Sequence, residues 1–341
     1  MLREDATTDR FSQLFPHGDQ MNERLKQHTI IALAVLVGFS CMSVCLAADP
    51  APAGWSLTWS DEFNGKSIDP KKWDFDLGNG FYNYDAHQWI HGWGNNELQY
   101  YTSDSRNAFL KDGRLHIRVL KESLHGCGYT SARMKTRTRD GRPLFNQTYG
   151  RFEFRAKLPT GQGIWPALWM LPQDEKYGPW AASGEIDVLE ARGQEPHKIL
   201  GTIHYGSRWP ANAHSGGEYT FPDNGTIAEF HTYAVEWEPG EIRWFVDGHH
   251  YATQKSWWSS SKTENGQGAK PKTEADLNPW PAPFNQPFYL VMNVAVGGNF
   301  LGNPDATTKF PAEMIVDYVR VYEKPDGYQP LPPRERGSLP F

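Results

Sequence analysis

Hydrophobic and polar residues alternate with a period of two along most of the chain. The segment GRFEFRAKL at 150–158 places apolar side chains such as Phe152 and Phe154 on one face and charged side chains on the other. The same alternation recurs, with Gly, Pro, Asp and Asn turns between the segments, at 114–120, 231–237, 241–248 and 315–322. Helical apolar spacing does not extend over more than two turns in any segment. The pattern therefore predicts an all-β fold.

One long segment, PFYLVMNVAVGG at 287–298, is apolar without alternation. A strand that is covered on both faces has this character, so we predict that it lies at the centre of a sheet. Many short strands separated by turns are typical of a sandwich of two antiparallel sheets. The 341 residues suffice for one such domain with a tail at each end.

The two ends of the chain do not follow the alternating pattern. A basic region after Met21 is followed by an apolar stretch at 29–44 and then by small residues, which is typical of a secretory signal peptide. Met1 and Met21 are both candidate start residues, and an uncleaved membrane anchor is the alternative to cleavage. The predicted divisions are an N-terminal extension with signal peptide at 1–48, a linker at 49–54, the folded domain at 55–323 and a Pro-rich tail at 324–341.

Net charge and cysteine content restrict the classes of partner and the cellular compartment that we expect for the protein. The net charge is −6 and long basic runs are missing from the sequence, which argues against nucleic acid as a partner. Cys41 and Cys45 lie in the predicted signal peptide, so only Cys127 remains and an internal disulfide cannot form. We expect a monomeric bacterial protein that is secreted, to the periplasm or outside the cell, without membrane contact after signal cleavage.

A long segment at 259–287 is polar and rich in Gly and Pro, and we predict a loop before the central strand. Trp257, Trp258 and Trp280 lie in or beside it. These indoles either line a cleft or pin the loop to the domain, and pinning is the favoured interpretation.

The segment SGEIDVLEARG, 183–193, holds three acidic residues with an unusual spacing. On a regular strand Glu185 and Asp187 share one face, whereas Glu190 points to the other. A β-bulge near Val188 or Leu189 would add one residue and turn Glu190 back toward Glu185. If all three carboxylates serve one site, the sequence predicts such a bulge.

Three kinds of role are open to these carboxylates. A solvated strand face is the plainest, but apolar Ile186 and Leu189 indicate a strand that packs on a core. A metal site is disfavoured, because a strand does not supply the six or more oxygens that Ca²⁺ prefers and the sequence places no His pair with zinc spacing nearby. Two carboxylates facing one sugar ring would cleave a glycosidic bond with retention.

Aromatic residues strengthen the last of these roles. The chain has 14 tryptophans, and such an excess either stacks on sugar rings or fills an aromatic β core. Trp165 and Trp169 belong to the segment GQGIWPALWMLP before the acidic cluster, and His204 belongs to TIHYG after it. Sugar clefts are commonly built from indoles with a few polar groups.

Seven segments, distributed in order from Trp55 to Tyr322, together resemble glycoside hydrolase family 16, and in particular its bacterial laminarinase-like endo-1,3-β-glucanases. They are GWGNNELQYYT, YGRFEFRAKLPTGQGIWPALWMLP, GEIDVLEARG, GTIHYG, FHTYAVEW, PFYLVMNVAVGGNFLG and VDYVRVY. The resemblance implies a β-jelly-roll sandwich of the concanavalin A type with a concave substrate cleft. It also implies a retaining endo-hydrolase of 1,3-β bonds in β-glucan, with 55–323 as the catalytic domain.

The resemblance also implies roles for individual residues. Glu185 matches the nucleophile, Asp187 an assisting carboxylate and Glu190 the acid/base. The residues that match substrate-binding positions are Asn96, Arg133, Trp165, Trp169 and His204. For Asn96 and Arg133 a hydrogen bond at a strand end is an equal alternative.

Metal and substrate expectations follow from the same resemblance. Catalysis needs no cofactor, but Glu62, Gly113 and Asp317 match a structural calcium site. Three other functions stay open: hydrolysis of mixed-linkage 1,3-1,4-β-glucan, hydrolysis of an algal galactan such as agar or carrageenan, and non-catalytic binding of β-glucan by a lectin-like protein.

Overall fold

The computed structural model of the protein describes residues 51–84 and 87–334. The predicted signal peptide at 1–48, including Cys41 and Cys45, lies outside the described residues. So do the first two residues of the predicted linker and the end of the predicted tail, 335–341.

Strands make up nearly all of the regular structure in these residues. In chain order the strands are β1 (Ser56–Asp61), β2 (Asp74–Asp76), β3 (Gly80–Asn83), β4 (Gln88–His91), β5 (Gln99–Tyr101), β6 (Ala108–Lys111), β7 (Arg114–Val119), β8 (Tyr129–Ser131), β9 (Arg133–Lys135), β10 (Gly150–Lys157), β11 (Ile164–Pro172), β12 (Glu185–Glu190), β13 (Lys198–Gly206), β14 (Asn212–Thr220), β15 (His231–Glu238), β16 (Glu241–Val246), β17 (His249–Gln254), β18 (Thr263–Glu264), β19 (Gln267–Gly268), β20 (Phe288–Val296) and β21 (Ala312–Glu323). Two 3₁₀ turns, Gly92–Gly94 and Glu274–Asp276, are the only helical segments of the described residues. None of the helical segments in that part of the chain could cross a bilayer.

Two large antiparallel sheets form the body of the domain. The eight-stranded sheet has the order β17-β16-β15-β10-β21-β7-β6, with β1 beside β21, and the seven-stranded sheet has the order β14-β13-β12-β11-β20-β9-β2. Three small pairs, β3-β4, β5-β8 and β18-β19, complete the structure, and only β5-β8 among them is parallel. The predicted all-β sandwich is confirmed.

The strictly alternating segments of the sequence all belong to the eight-stranded sheet. They form β7, β10, β15, β16 and β21. Each of these strands sends apolar side chains, such as Phe152 and Trp244, into the core between the sheets. Their charged side chains lie on the outer face, where they pair with one another, and this explains why the alternation was so regular.

The apolar segment forms β20, which lies between β11 and β9 in the seven-stranded sheet. All nine of its residues are buried, so the prediction of a central strand covered on both faces is confirmed. β20 lies two strands from β12, the strand that carries the acidic cluster.

The segment at 259–287 contains β18, β19 and the second 3₁₀ turn, and its tryptophans attach it to the domain. Trp257 is fully buried, and its indole donates to the carbonyl oxygen of Pro281 at 2.9 Å. Trp258 is 4% exposed. The Trp280 indole donates to the carbonyl oxygen of Pro332 at 2.8 Å. The pinning interpretation is therefore confirmed.

Candidate active site

The strand that carries the acidic residues, β12, contains the irregularity predicted from their spacing. On the β11 side the residues that pair with Asp187 and Leu189 are adjacent, so Val188 is an extra residue. On the β13 side the partners of Asp187 and Glu190 are only two positions apart. The predicted β-bulge is confirmed.

The bulge allows two consecutive side chains to point into the core. Val188 and Leu189 are 1% and 0% exposed, and both belong to the hydrophobic core. The alternation is thereby shifted by one residue, so Glu190 returns to the face of Glu185. Its position on this outer face is marked by Trp165, whose indole Nε1 donates to Glu190 Oε1 at 3.1 Å.

Two rings contact the carboxylate of Glu185. The indole of Trp180 donates to Oε2 at 2.8 Å, and Nε2 of His204 lies 3.8 Å from Oε1. Trp180 comes from the turn before β12 and is 37% exposed. Trp180 was not predicted from the sequence, although its position five residues before Glu185 in a Gly- and Pro-containing turn was a usable signal.

Asp187 is the most buried member of the cluster, with 2% of its side chain exposed. Its Oδ2 lies 3.3 Å from Nε2 of His204. From the other sheet, the indole of Trp244 donates to the backbone carbonyl oxygen of Asp187 at 2.8 Å. Contacts from both sheets therefore fix the bulged part of β12.

Burial raises the pKa of all three carboxyl groups, because a buried carboxylate loses its hydration. For Asp187, burial and the charge of Glu185 raise the pKa to about 7. For Glu190, burial and the charge of Asp187 raise the pKa to about 8. Burial also raises the pKa of Glu185. The charge of His204 and the hydrogen bond from Trp180 lower this pKa, whereas the charge of Glu190 raises it further. Glu190 therefore carries a proton at neutral pH.

His204 acts as the cation of this site. Burial would lower its pKa, but the contact with Asp187 and the charges of Glu185 and Glu190 outweigh burial and raise the pKa to about 10. Glu185, Asp187 and His204 each place one atom that could bind a metal within 4.8 Å of the other two. Among the described residues, no other group of three His, Cys, Asp or Glu side chains does so. A protonated imidazole has no free lone pair for a metal, so the trio suits acid–base chemistry rather than metal binding.

Trp169 and Arg133 form a stacked wall beside the cluster. The indole of Trp169 donates to Oδ1 of Asn293 at 2.8 Å. The guanidinium of Arg133 lies between two rings, 4.7 Å from the centroid of Trp169 and 4.6 Å from that of Trp93. Asp76 holds Arg133 from β2, with Oδ2 3.0 Å from Nε. The roles of Trp93, Asp76 and Asn293 were not predicted from the sequence.

Asn96 lies in the loop after the first 3₁₀ turn and is exposed. Its Nδ2 donates to Oδ1 of Asn299 at 2.9 Å, so the side chain joins two loops. Of the two predicted roles, the structure shows this hydrogen bond for Asn96 and the ion pair with Asp76 for Arg133. Contact with a sugar stays a prediction for both residues.

The predicted calcium ligands belong to the opposite side of the sandwich. Glu62 accepts two hydrogen bonds from Arg320, at 2.9 and 2.8 Å. Asp317 accepts hydrogen bonds from two arginines, of which Arg114 lies at 3.0 Å, and Gly113 lies in the turn between β6 and β7 with φ +69°. Guanidinium groups already neutralise both carboxylates, so this donor set does not fit a calcium ion in the observed arrangement.

Comparison with known proteins places this site in a family. The family profile Glycosyl hydrolases family 16 matches residues 93–282, which is more than half of the chain and includes β12 with its bulge. The chain belongs to this family of glycoside hydrolases.

Individual relatives agree with the family match. Glucan endo-1,3-beta-glucosidase A1 of Niallia circulans is 45% identical over 295 residues, which are 83% of this chain and 40% of that protein. Beta-glucanase of Rhodothermus marinus is 42% identical over 309 residues, 88% of this chain and 96% of that protein. The crystal structure of the laminarinase catalytic domain from Thermotoga maritima superposes with a TM-score of 0.63 at 39% identity, covering 79% of this chain and 98% of that domain.

Proposed function

We propose that the protein hydrolyses internal 1,3-β-glucosidic bonds of laminarin-type β-glucans with net retention. The names of the Niallia, Rhodothermus and Thermotoga proteins support a β-glucan substrate. The observation that carries the mechanism is the bulge in β12, which returns Glu190 to the face of Glu185. A glycoside hydrolase of this family needs no cofactor for catalysis.

Glu185 is the nucleophile of this mechanism. Its carboxylate attacks the anomeric carbon, the bond to the leaving oxygen breaks, and a covalent glycosyl-enzyme forms. The hydrogen bond from Trp180 and the positive charge of His204 favour the ionised form and fix its orientation. They also stabilise the carboxylate again when the glycosyl-enzyme is hydrolysed.

Glu190 is the general acid and base. Its pKa of about 8 keeps a proton on the carboxyl at neutral pH, and this proton passes to the leaving oxygen. The resulting carboxylate then takes a proton from the water that hydrolyses the glycosyl-enzyme. Trp165 donates to Oε1, an arrangement that leaves Oε2 for proton transfer.

Asp187 assists both glutamates without contacting the reacting carbon. Its charge favours the protonated form of Glu190, and its contact with His204 holds the imidazolium beside Glu185. The three carboxyl groups and the imidazole titrate as a coupled set, so pH profiles report the set and not one residue.

Substitution of the nucleophile tests the mechanism. Glu185→Gln keeps the size and the hydrogen-bonding edge of the side chain but removes the attacking carboxylate, so turnover of laminarin should fall by about 10⁴-fold or more while the melting temperature is retained. NMR of the first products of the wild-type enzyme should show the β-anomer. Early α-anomer would contradict retention, and substantial activity of the variant would contradict the assignment of Glu185.

Other substrates and a binding-only role make different predictions. Loops rather than the acidic cluster select the sugar, so mixed-linkage glucan, agar and carrageenan are compared with laminarin by release of reducing sugar. A non-catalytic glucan-binding protein would bind laminarin without releasing reducing sugar. The cluster of buried carboxylates disfavours that role, because a binding protein has no need for like charges that repel one another.

Secretion and the monomeric state are further proposals, whereas the arginine pairs argue against structural calcium. The signal-like segment after Met21 supports secretion, and mass spectrometry of the exported protein identifies the mature N-terminus. Sedimentation tests the monomer. Because arginines neutralise Glu62 and Asp317, EDTA should leave the melting temperature unchanged, and a fall on EDTA treatment would contradict this conclusion.

A further inference from the structure

Exposed aromatic side chains are concentrated on the hairpin formed by β3 and β4. Among the described residues nine large hydrophobic side chains are exposed, and four of them lie within 81–89. These are Phe81, Tyr82, Tyr84 and Trp89, which are 41%, 42%, 79% and 43% exposed. Single exposed apolar residues are ordinary, but a cluster of this kind marks a binding surface.

The hairpin has two aromatic faces. Tyr82 and Trp89 pair directly across the strands, so their rings lie side by side on one face. Phe81 pairs with Ile90 and lies on the other face, where its ring centroid is 6.3 Å from that of Trp93. We call the exposed rings of Phe81, Tyr82 and Trp89 the hairpin surface.

Phe81 connects the hairpin to the wall of the candidate active site, and Tyr82 and Trp89 extend the aromatic surface on the opposite face of the hairpin. From Phe81 the contacts pass to Trp93, then to Arg133 at 4.6 Å and to Trp169 at 4.7 Å. Arg133 lies on β9, three strands from β12 in the seven-stranded sheet, so the backbones of these two strands are about 14 Å apart at the usual strand spacing. The hairpin lies beyond Arg133 along this line.

The chemistry of the hairpin fits an uncharged sugar chain. Its segment 80–91 contains no Lys, Arg or Glu, so it lacks the cations that an anionic polymer requires. Indole and phenol rings offer flat apolar faces for the carbon face of a pyranose, and their N–H and O–H groups can hydrogen-bond to its hydroxyls. Because the hairpin is connected to the cleft, whose proposed substrate is β-glucan, we expect the same glycan to bind the hairpin.

We propose that the hairpin surface is a second binding surface for β-glucan, which holds the part of a polymer chain that extends beyond the cleft. This proposal rests on the proposed glucanase function. An oligosaccharide that ends over Arg133 does not reach the hairpin, so the surface increases affinity for long chains and not for short ones. It also keeps the enzyme on the polymer between cleavages, because the second contact is intramolecular once the first is made.

The test removes two rings from the hairpin and compares polymer with oligosaccharide. In Tyr82→Ala/Trp89→Ala we expect KM for laminarin to rise about tenfold, with kcat unchanged, because two ring contacts are lost. KM and kcat for laminaritetraose should stay within about twofold of the wild type. Leu57→Ala is the control, since this exposed apolar residue lies on β1 in the eight-stranded sheet, and it should leave all values unchanged.

The same comparison is made for binding alone. The two ring substitutions are combined with Glu185→Gln, and mobility is measured in gels that contain laminarin. We expect weaker retardation than for Glu185→Gln by itself. If the double variant does not fold, Trp89→Ala replaces it in every measurement.

Several results would overturn the proposal. One is unchanged affinity for laminarin; another is an equal loss on laminarin and laminaritetraose, which would mean that the hairpin only shapes the cleft. A third is a wild-type dimer that the ring substitutions convert to a monomer at unchanged laminarin affinity, because the surface would then join two copies of the chain. Failure of the proposed function is distinguishable, since the wild type would then not cleave laminarin at all.

Discussion

At the scale of single residues, the site is defined by how burial and contacts separate the three carboxyl groups. Glu185 has a hydrogen bond from Trp180 and lies near an imidazolium, both of which favour its charge. Glu190 lies next to the charge of Asp187, which favours its proton. In the proposed mechanism, these different neighbours are what distinguish the nucleophile from the acid, although both side chains are glutamates.

The raised pKa of Glu190 predicts a pH-dependent cost in stability. The folded protein retains this proton up to about pH 8, whereas the unfolded chain releases it near 4.5, so wild-type stability falls as pH rises between these values. Glu190→Gln does not titrate. It should be as stable as the wild type at pH 4 and more stable at pH 8, by on the order of 2 kcal/mol after allowance for partial exposure.

Urea unfolding at several pH values checks this prediction. Glu264→Gln, in the exposed strand β18, is the control and should show the same pH dependence as the wild type. A stability difference between Glu190→Gln and the wild type that shrinks as pH rises would contradict the raised pKa.

At the scale of elements, the bulge of β12 depends on a glycine in the neighbouring strand. Gly201 of β13 lies opposite the extra residues, and its missing side chain makes room for Trp244 from the other sheet. A Cβ at position 201 would lie 2.3 Å from Cδ1 of Trp244, which is fully buried and can move only by disturbing the packing around it. The indole that fills this space donates to the carbonyl oxygen of Asp187.

Gly201→Ala should therefore disturb both stability and catalysis. The new methyl displaces Trp244 from Asp187, and we expect a loss of about 1–3 kcal/mol in the free energy of unfolding. A shift of the bulge by about 1 Å should lower kcat on laminarin by about 10²-fold. The control is Gly128→Ala, where an added Cβ meets no atom within 4 Å.

Chemical denaturation and steady-state kinetics measure the two effects of Gly201→Ala. Wild-type kcat in a destabilised Gly201→Ala protein would show that the bulge tolerates movement of Trp244. Wild-type stability would show that the core absorbs the methyl.

At the scale of the whole molecule, the two sheets divide stability and chemistry between them. The outer face of the eight-stranded sheet consists of paired charges, such as Arg151, which donates to Glu153 and to Glu236. The outer face of the seven-stranded sheet carries the acidic cluster and the indoles. A change in the first face should therefore alter stability without altering the pKa values of the second.

Glu153→Gln tests this division. The side chain of Arg151 is only 8% exposed, so loss of the Glu153 carboxylate leaves its buried charge incompletely paired. We expect the free energy of unfolding to fall by about 3 kcal/mol. The melting temperature should fall, while kcat on laminarin and its pH profile at 25 °C should not change. Asp140→Asn breaks an exposed pair with Arg142 and should leave the melting temperature nearly unchanged. A shifted pH profile in Glu153→Gln would show coupling between the faces.

Much of the fold could be predicted because burial on one side leaves a period of two. The alternating segments became β7, β10, β15, β16 and β21, and the apolar segment became the buried β20. Short strands such as β2, β9 and the β3-β4 hairpin were not predicted. They have three or four residues each, which is too few for a period to be visible.

The candidate site was predictable only in part, for the same kind of reason. Glu185, Asp187 and Glu190 lie on one strand, so the hypothesis that they serve one site was enough, with their spacing, to predict the bulge. Trp180 and Trp93 contact the site from turns, where the sequence has no periodicity that indicates direction. Their contacts depend on how distant segments meet.

The sequence by itself determined the all-β architecture, the central strand and the need for a bulge, because each follows from which faces of a strand are buried. Only the tertiary structure decided which ring contacts which carboxylate, how Trp244 and Gly201 fit the bulge, and that arginines occupy the carboxylates of Glu62 and Asp317. These contacts join residues far apart in the chain, and the electrostatic environment that they create exists only when both sheets are packed together.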